Sequence, residues 1–143
     1  MKIHLVVIGK PKLAYAKQGF DEYLARLQRL HTVRVSHIAD KHAYSVAEIL
    51  SASKGTVSIV MEITGQQYSS QELAVFLKQR EIESKEISII IGGPEGLPHE
   101  VRTRADYLWS IGKHTLPHDL AMVVTLEALY RASTINAGLP YHK

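Results

Sequence analysis

The sequence predicts an α/β fold, a mostly parallel sheet with helices on both faces, and two observations carry that reading. Near-continuous apolar runs recur along the chain, as in Ile89-Ile90-Ile91, and such runs suit strands buried on both sides. They alternate with segments of helical apolar spacing, the pattern of a parallel sheet covered by helices. A third observation marks where chemistry is expected. The strand at Ile91 runs straight into Gly92-Gly93-Pro94-Glu95-Gly96-Leu97, and glycines there permit a tight turn or the close approach of a ligand.

Each element has its own signal. Residues 2–8 read as a strand, and 13–30 as an amphipathic helix with Phe20, Tyr23, Leu24, Leu27 and Leu30 on one face. The β-branched segment 32–39 is a second strand and 44–52 a short helix, with the polar stretch 39–43 as the expected mobile loop. Residues 56–63 make a third strand that ends at Thr64-Gly65. Ser69 or Ser70 caps a helix over 71–82. Strand four is 86–91, strand five about 106–111, and a long last helix covers 117–137. No repeat, linker or low-complexity stretch interrupts them, so residues 1–143 form one domain.

Composition narrows the class. At 143 residues and 45% hydrophobic, the chain is long enough to bury one core. The absence of cysteine excludes a disulfide scaffold, a thiol nucleophile and cysteine-bound zinc, and a reducing cytoplasm is the expected home. The first apolar run, Ile3 to Ile8, is too short for a membrane span and lacks a cleavage signature, so no membrane partner is expected. A formal charge of +3 leans only weakly towards nucleic acid, and eight histidines could add donors near phosphates.

In an open α/β sheet, ligands bind beyond the carboxyl ends of the strands. Here those ends are 61–65, 91–96 and 111–114, and one ligand touching all three is the natural geometry. The glycine loop at 92–96 is neither a dinucleotide fingerprint nor a P-loop, and by itself suits a structural turn as well as a ligand loop. A second glycine loop, Gly112-Lys113-His114, at a neighbouring strand end tips the balance towards a ligand. His114 and His118 have the spacing of a helical metal pair, but Pro117 intervenes and no H-E-x-x-H pattern exists. A histidine hydrogen-bonded near a helix start fits better, and no metal is expected. Glu127 and Arg131 read as an i,i+4 ion pair, and Trp109 as core. Tyr141 and His142 follow Gly138 and Pro140 on a terminus that either frays or acts as a lid over a site.

Taken together, these blocks resemble the RlmH family of ribosomal RNA large-subunit methyltransferases, in the SPOUT (α/β-knot) superfamily. The resemblance runs almost end to end. It is most specific in Ile91-Gly92-Gly93-Pro94-Glu95-Gly96, Trp109-Ser110, Thr115-Leu116-Pro117-His118-Asp119-Leu120, Leu129-Tyr130-Arg131-Ala132 and Pro140-Tyr141-His142-Lys143. It implies methyl transfer from S-adenosyl-L-methionine to N3 of a pseudouridine in 23S rRNA, on the assembled ribosome. It also implies a homodimer and a C-terminal trefoil knot, a rare departure from unknotted chains. Cofactor contacts would fall on Met61, Gly92, Gly93, Gly112, Lys113, His114, Thr115, Leu116 and Pro117. Tyr141 and His142 would approach the target base, with His142 the leading candidate for the base and Tyr141 a stacking or orienting partner. The chain departs from the family in Glu62 for a usual aspartate, in a shortened region around 40–55, and in Met122 for a usual arginine. On this reading Met122 takes a donor away from the rRNA or dimer surface. Another SPOUT-type RNA methylation, or a non-catalytic ribosome-binding protein, remains as an alternative.

Overall fold

The computed structural model describes residues 1–142, the side chain of His142 excepted. Five strands form one sheet: β1 Lys2–Ile8, β2 Thr32–Ile38, β3 Val57–Gln67, β4 Ile87–Ile91 and β5 Tyr107–Ser110. Their order is β2-β1-β4-β3-β5, and every pairing is parallel. The helices are α1 Ala14–Gln28, α2 Val46–Ala52, α3 Ser70–Ile82, α4 His99–Thr103 and α5 His118–Ala137. Single 3-10 turns occupy Asp40–His42 and Pro140–His142.

The central strands β1 and β4 are the apolar runs that the sequence singles out, and both are buried on both faces. Alternate side chains point to opposite sides and meet different helices. Ile3, Leu5 and Val7 join Phe20 and Leu27 of α1, Leu73 and Leu77 of α3, and Met122, Leu126 and Leu129 of α5. On the other face, Val6, Ile8 and Ile90 meet Ile49 of α2 and Val101 of α4. Helices therefore cover both sides, and Trp109 is core at 3% exposure. None of the helices among the described residues is long and apolar enough to cross a membrane.

Several boundaries are corrected by local chemistry. α2 starts two residues later than expected, because the Ser45 side chain accepts from the Glu48 N–H and sets the cap there. Ser69, rather than Ser70, caps α3, and Glu72 reaches back to complete a capping box. β3 continues past Ile63 to Gln67 through an irregularity: both Met61 and Gln66 pair with Trp109, so 62–65 bulge outward. Gly65 makes that bulge possible, since a Cβ there would lie 2.6 Å from the Leu108 carbonyl carbon. The stretch 39–43 holds a 3-10 turn, and α4 has no counterpart in the sequence reading. Met122 is also a correction. It is fully buried in the core that α5 shares with α1, α3 and the sheet, so it removes no donor from any surface of this chain.

The topology creates two crevices. After β1 and β3 the chain turns to the face of α1 and α3, whereas after β4 it turns to the face of α4. Because β4 lies between β1 and β3, loops part to opposite sides on both of its flanks. Such switch points at carboxyl strand ends open space for ligands.

Candidate functional site

The crevice on the β3 side is a cleft of about 380 Å³. Three strand ends line it: Met61, Glu62 and Ile63 after β3, Ile91 and 93–97 after β4, and Trp109, Ile111, Gly112, His114, Thr115 and Leu116 from β5. Ala121 and Thr125 of α5 form its floor, and Arg102 reaches in from α4. Of the residues expected at a cofactor, Met61, Gly93, Gly112, His114, Thr115 and Leu116 thus come together. Gly92, Lys113 and Pro117 do not line the cleft.

The two glycine loops differ in kind. A Cβ on Gly92 would lie 2.8 Å from Leu97 Cγ and 3.0 Å from the Gly96 carbonyl carbon, so this glycine lets the loop fold onto itself. A Gly96 N–H to Gly93 carbonyl bond of 3.0 Å closes the turn. Gly112 has open space where its Cβ would stand. Its loop is fixed instead by the buried Ser110 hydroxyl, which donates to the Gly112 carbonyl at 2.9 Å and accepts the Gly112 N–H at 3.1 Å. One glycine serves the fold, and the other leaves room in the cleft.

Two residues of the site escaped the sequence reading. Arg102 sits in the cleft wall with its Nη1 3.6 Å from Glu62 Oε2, while its Nε is shielded from solvent and unpartnered. The signal was Pro98 followed by Glu100 in a first turn, too short for periodicity to register. Asp119 is the other. Its Oδ2 accepts the N–H groups of Lys12 and Leu13 at 2.8 and 2.7 Å, and so ties the chain entering α1 to the start of α5. It also places a carboxylate in the first turn of α5, where the helix dipole favours it. That contact spans more than 100 residues, and no local pattern announces it.

His114 and His118 do not converge. The first lines the cleft and the second, with Pro117, lines a separate cavity.

Tyr141 is absent from the cleft of its own chain. Its hydroxyl donates to Glu127 Oε1 at 3.1 Å and shares a 3.1 Å hydrogen bond with Tyr23. The ring meets Tyr130 edge-on at 4.7 Å and lies 4.8 Å below the Arg131 guanidinium. The expected Glu127–Arg131 pair is present, with Arg131 Nη2 donating at 2.6 Å. Burial, then the hydrogen bonds to Tyr23 and Glu127, hold the Tyr141 phenol well above its ordinary pKa. It therefore stays protonated and acts as a donor. The side chain of His142, and Lys143, lie outside the described residues.

Known proteins resemble this chain along its whole length. A family described as predicted SPOUT methyltransferase matches residues 1–142. A protein named Ribosomal RNA large subunit methyltransferase H from Deinococcus radiodurans is 46% identical, over 100% of this chain and 99% of its own length. Its namesakes from Deinococcus deserti and Acinetobacter baumannii are 43% and 34% identical, covering 100% of this chain and 100% and 99% of theirs. Among solved structures, a probable methylase family protein from Haemophilus influenzae superposes with a TM-score of 0.56 at 12% identity. That likeness covers 95% of this chain and 66% of the other, and bears on the fold alone.

Proposed function

Because the chain belongs to the SPOUT methyltransferase family, beside the ribosomal RNA large subunit methyltransferases H, we propose that it moves a methyl group from S-adenosylmethionine to N3 of a pseudouridine in 23S rRNA. The chain is a ribosomal RNA methyltransferase. The methyl donor, the target atom, the ribosomal context, the homodimer and the C-terminal trefoil knot are the finer parts of the proposal. Work on ribosomes would place it in the cytoplasm.

The observation that carries this reading is the cleft where three strand ends meet, with open space at Gly112 and apolar walls from Met61, Trp109 and Leu116. Those features suit the cofactor: flat apolar walls for the adenine, and exposed backbone for its hydrogen-bonding edge. Lys113, Pro117 and Gly92 hold the loops that carry these contacts. Arg102 is the guanidinium of the cleft, and it would hold the carboxylate of the methionine moiety. When bound, S-adenosylmethionine supplies a methyl group on a sulfonium that is already electrophilic. The protein then has to align the nucleophile and exclude water.

The nucleophile is an imide nitrogen that must lose its proton. Tyr141 stacks on or orients the base, and His142 takes the proton. In its own chain Tyr141 is bound to Glu127 and Arg131, and Arg131 lies about 9 Å further along α5 than Thr125 of the cleft floor. The tail therefore meets a target base across a homodimer. Leu13, Tyr15 and Leu139, exposed at 51%, 55% and 40% on α1 and at the exit of α5, are apolar surface that such a dimer would cover.

Calorimetric titration with S-adenosylmethionine tests the reading. One binding event per chain is expected, with a dimer mass in sedimentation. No heat and no thermal shift at millimolar cofactor would contradict it.

A further inference from the structure

Among its apolar walls, the cleft on the β3 side sets a carboxylate and a guanidinium next to one another, Glu62 and Arg102. We propose that Glu62 is a specificity-determining residue, which receives the α-ammonium of the methyl donor while Arg102 holds the carboxylate on the same carbon. This deepens the proposed function and rests on S-adenosylmethionine being the ligand of the cleft.

Glu62 reaches the cleft through an irregularity of its strand. In a regular strand Met61 and Glu62 would point to opposite faces. The bulge at 62–65 re-aims the chain, and Met61, Glu62 and Ile63 all line the cleft. Arg102 comes from the opposite wall, on a helix anchored by the buried Val101.

The two charges are close, yet neither satisfies the other. Arg102 Nη1 lies 3.6 Å from Glu62 Oε2, too long for a hydrogen bond. Glu62 Oε1 accepts the Thr64 hydroxyl at 3.4 Å, so both carboxylate oxygens keep room for further donors. Arg102 Nε is shut off from solvent, which leaves the Nη groups to meet a ligand. An ammonium and a carboxylate borne on one carbon match such a pair, each meeting its opposite in a charge-assisted hydrogen bond.

The charge of the lining agrees. Besides His114, it carries two carboxylates, Glu62 and Glu95, against the one guanidinium of Arg102. S-adenosylmethionine carries the reverse, a sulfonium and an ammonium against one carboxylate. Glu95 is not the partner of the ammonium: it is exposed, and its Oε2 accepts the Tyr44 hydroxyl at 2.7 Å on the other flank of the loop. The Glu62 side chain is 17% exposed, and in that shelter an ion pair is less screened by water.

Three adenosyl thioethers, all without a sulfonium, separate the two ligand charges. S-adenosylhomocysteine has both, its decarboxylated form has the ammonium alone, and methylthioadenosine has neither. Calorimetry gives their affinities for the wild type, Glu62→Gln, Glu62→Asp and Arg102→Gln. Glu62→Gln should weaken S-adenosylhomocysteine and its decarboxylated form about tenfold and leave methylthioadenosine near wild type. Glu62→Asp keeps the charge and should recover part of that loss. Arg102→Gln should weaken S-adenosylhomocysteine and spare the other two. A Glu62→Gln variant whose affinity changes equally for all three ligands, or for none, overturns the inference, and equal losses would make Glu62 a strut of the cleft wall. A wild type that binds the decarboxylated form no more tightly than methylthioadenosine overturns it as well, whatever the variants do. A wild type that binds none of the three, nor S-adenosylmethionine, overturns the methyl-donor reading and this inference with it.

Discussion

Gly92 and Gly112 occupy the two loops that flank the cleft, yet a side chain at each would meet different things. At Gly92 it would strike Leu97 and the Gly96 backbone, and at Gly112 it would enter open space. Gly92→Ala should therefore destabilise the fold by about 1–3 kcal/mol through overpacking. Gly112→Val should leave stability within about 0.5 kcal/mol, yet lower cofactor affinity at least about tenfold. Urea midpoints and calorimetry on both variants check this, and equal losses of stability would contradict it. The sequence marked both positions as glycine at a strand end. It could not separate them, because the colliding atoms are set by the fold of the loop.

His31 carries a pH dependence at the same scale. Its Nε2 lies 2.8 Å from the Ser133 hydroxyl, which gives its own proton to the Leu129 carbonyl, so the imidazole must be the donor. Burial pushes its pKa from 6.5 down to about 4. The unfolded chain thus binds more protons between those values. The contribution is fully present above about pH 6.5 and is lost as pH falls towards 4. The urea midpoint should drop over that window, and His31→Gln, which keeps a donor, should flatten part of the drop. His4, also lowered by burial, leaves a residual slope. Identical pH profiles for variant and wild type would refute the role of His31.

At the scale of elements, legibility followed length and burial. β1, β4, α1 and α5 were legible because an unbroken apolar run or several helical turns repeat the same signal. α4 was not, since five residues with one buried side chain, Val101, give no period, and with it went Arg102. The end of β3 was misjudged because a parallel partner strand, not local sequence, carries pairing through the bulge. α5 holds the plainest test of packing against surface. Met122 faces the sheet with no exposure at all. Met122→Arg buries an unpaired charge and should cost about 3 kcal/mol or more, read as a fall in the denaturation midpoint. A variant of unchanged stability with tighter ribosome binding would return that position to the surface.

Across the whole molecule, one strand order generates both crevices. Setting β4 between β1 and β3 sends chain to opposite faces on each side of it, so the cleft on the β3 side and a second cavity share the loop at 94–95 as a wall. The sequence foretold the first crevice through its glycine loops. It gave no sign of the second, whose walls come from four separated segments of the chain. A cofactor in the first crevice would bring its methyl group to that loop, while the Tyr141 cluster lies on the α1–α5 side. The most direct measurement is mass-spectrometric mapping of 23S rRNA after ribosomes lacking the modification are incubated with the protein and isotope-labelled S-adenosylmethionine. One labelled methyl on N3 of a single pseudouridine is the expected result; no incorporation, or a methyl on a ribose or a different base, would contradict it.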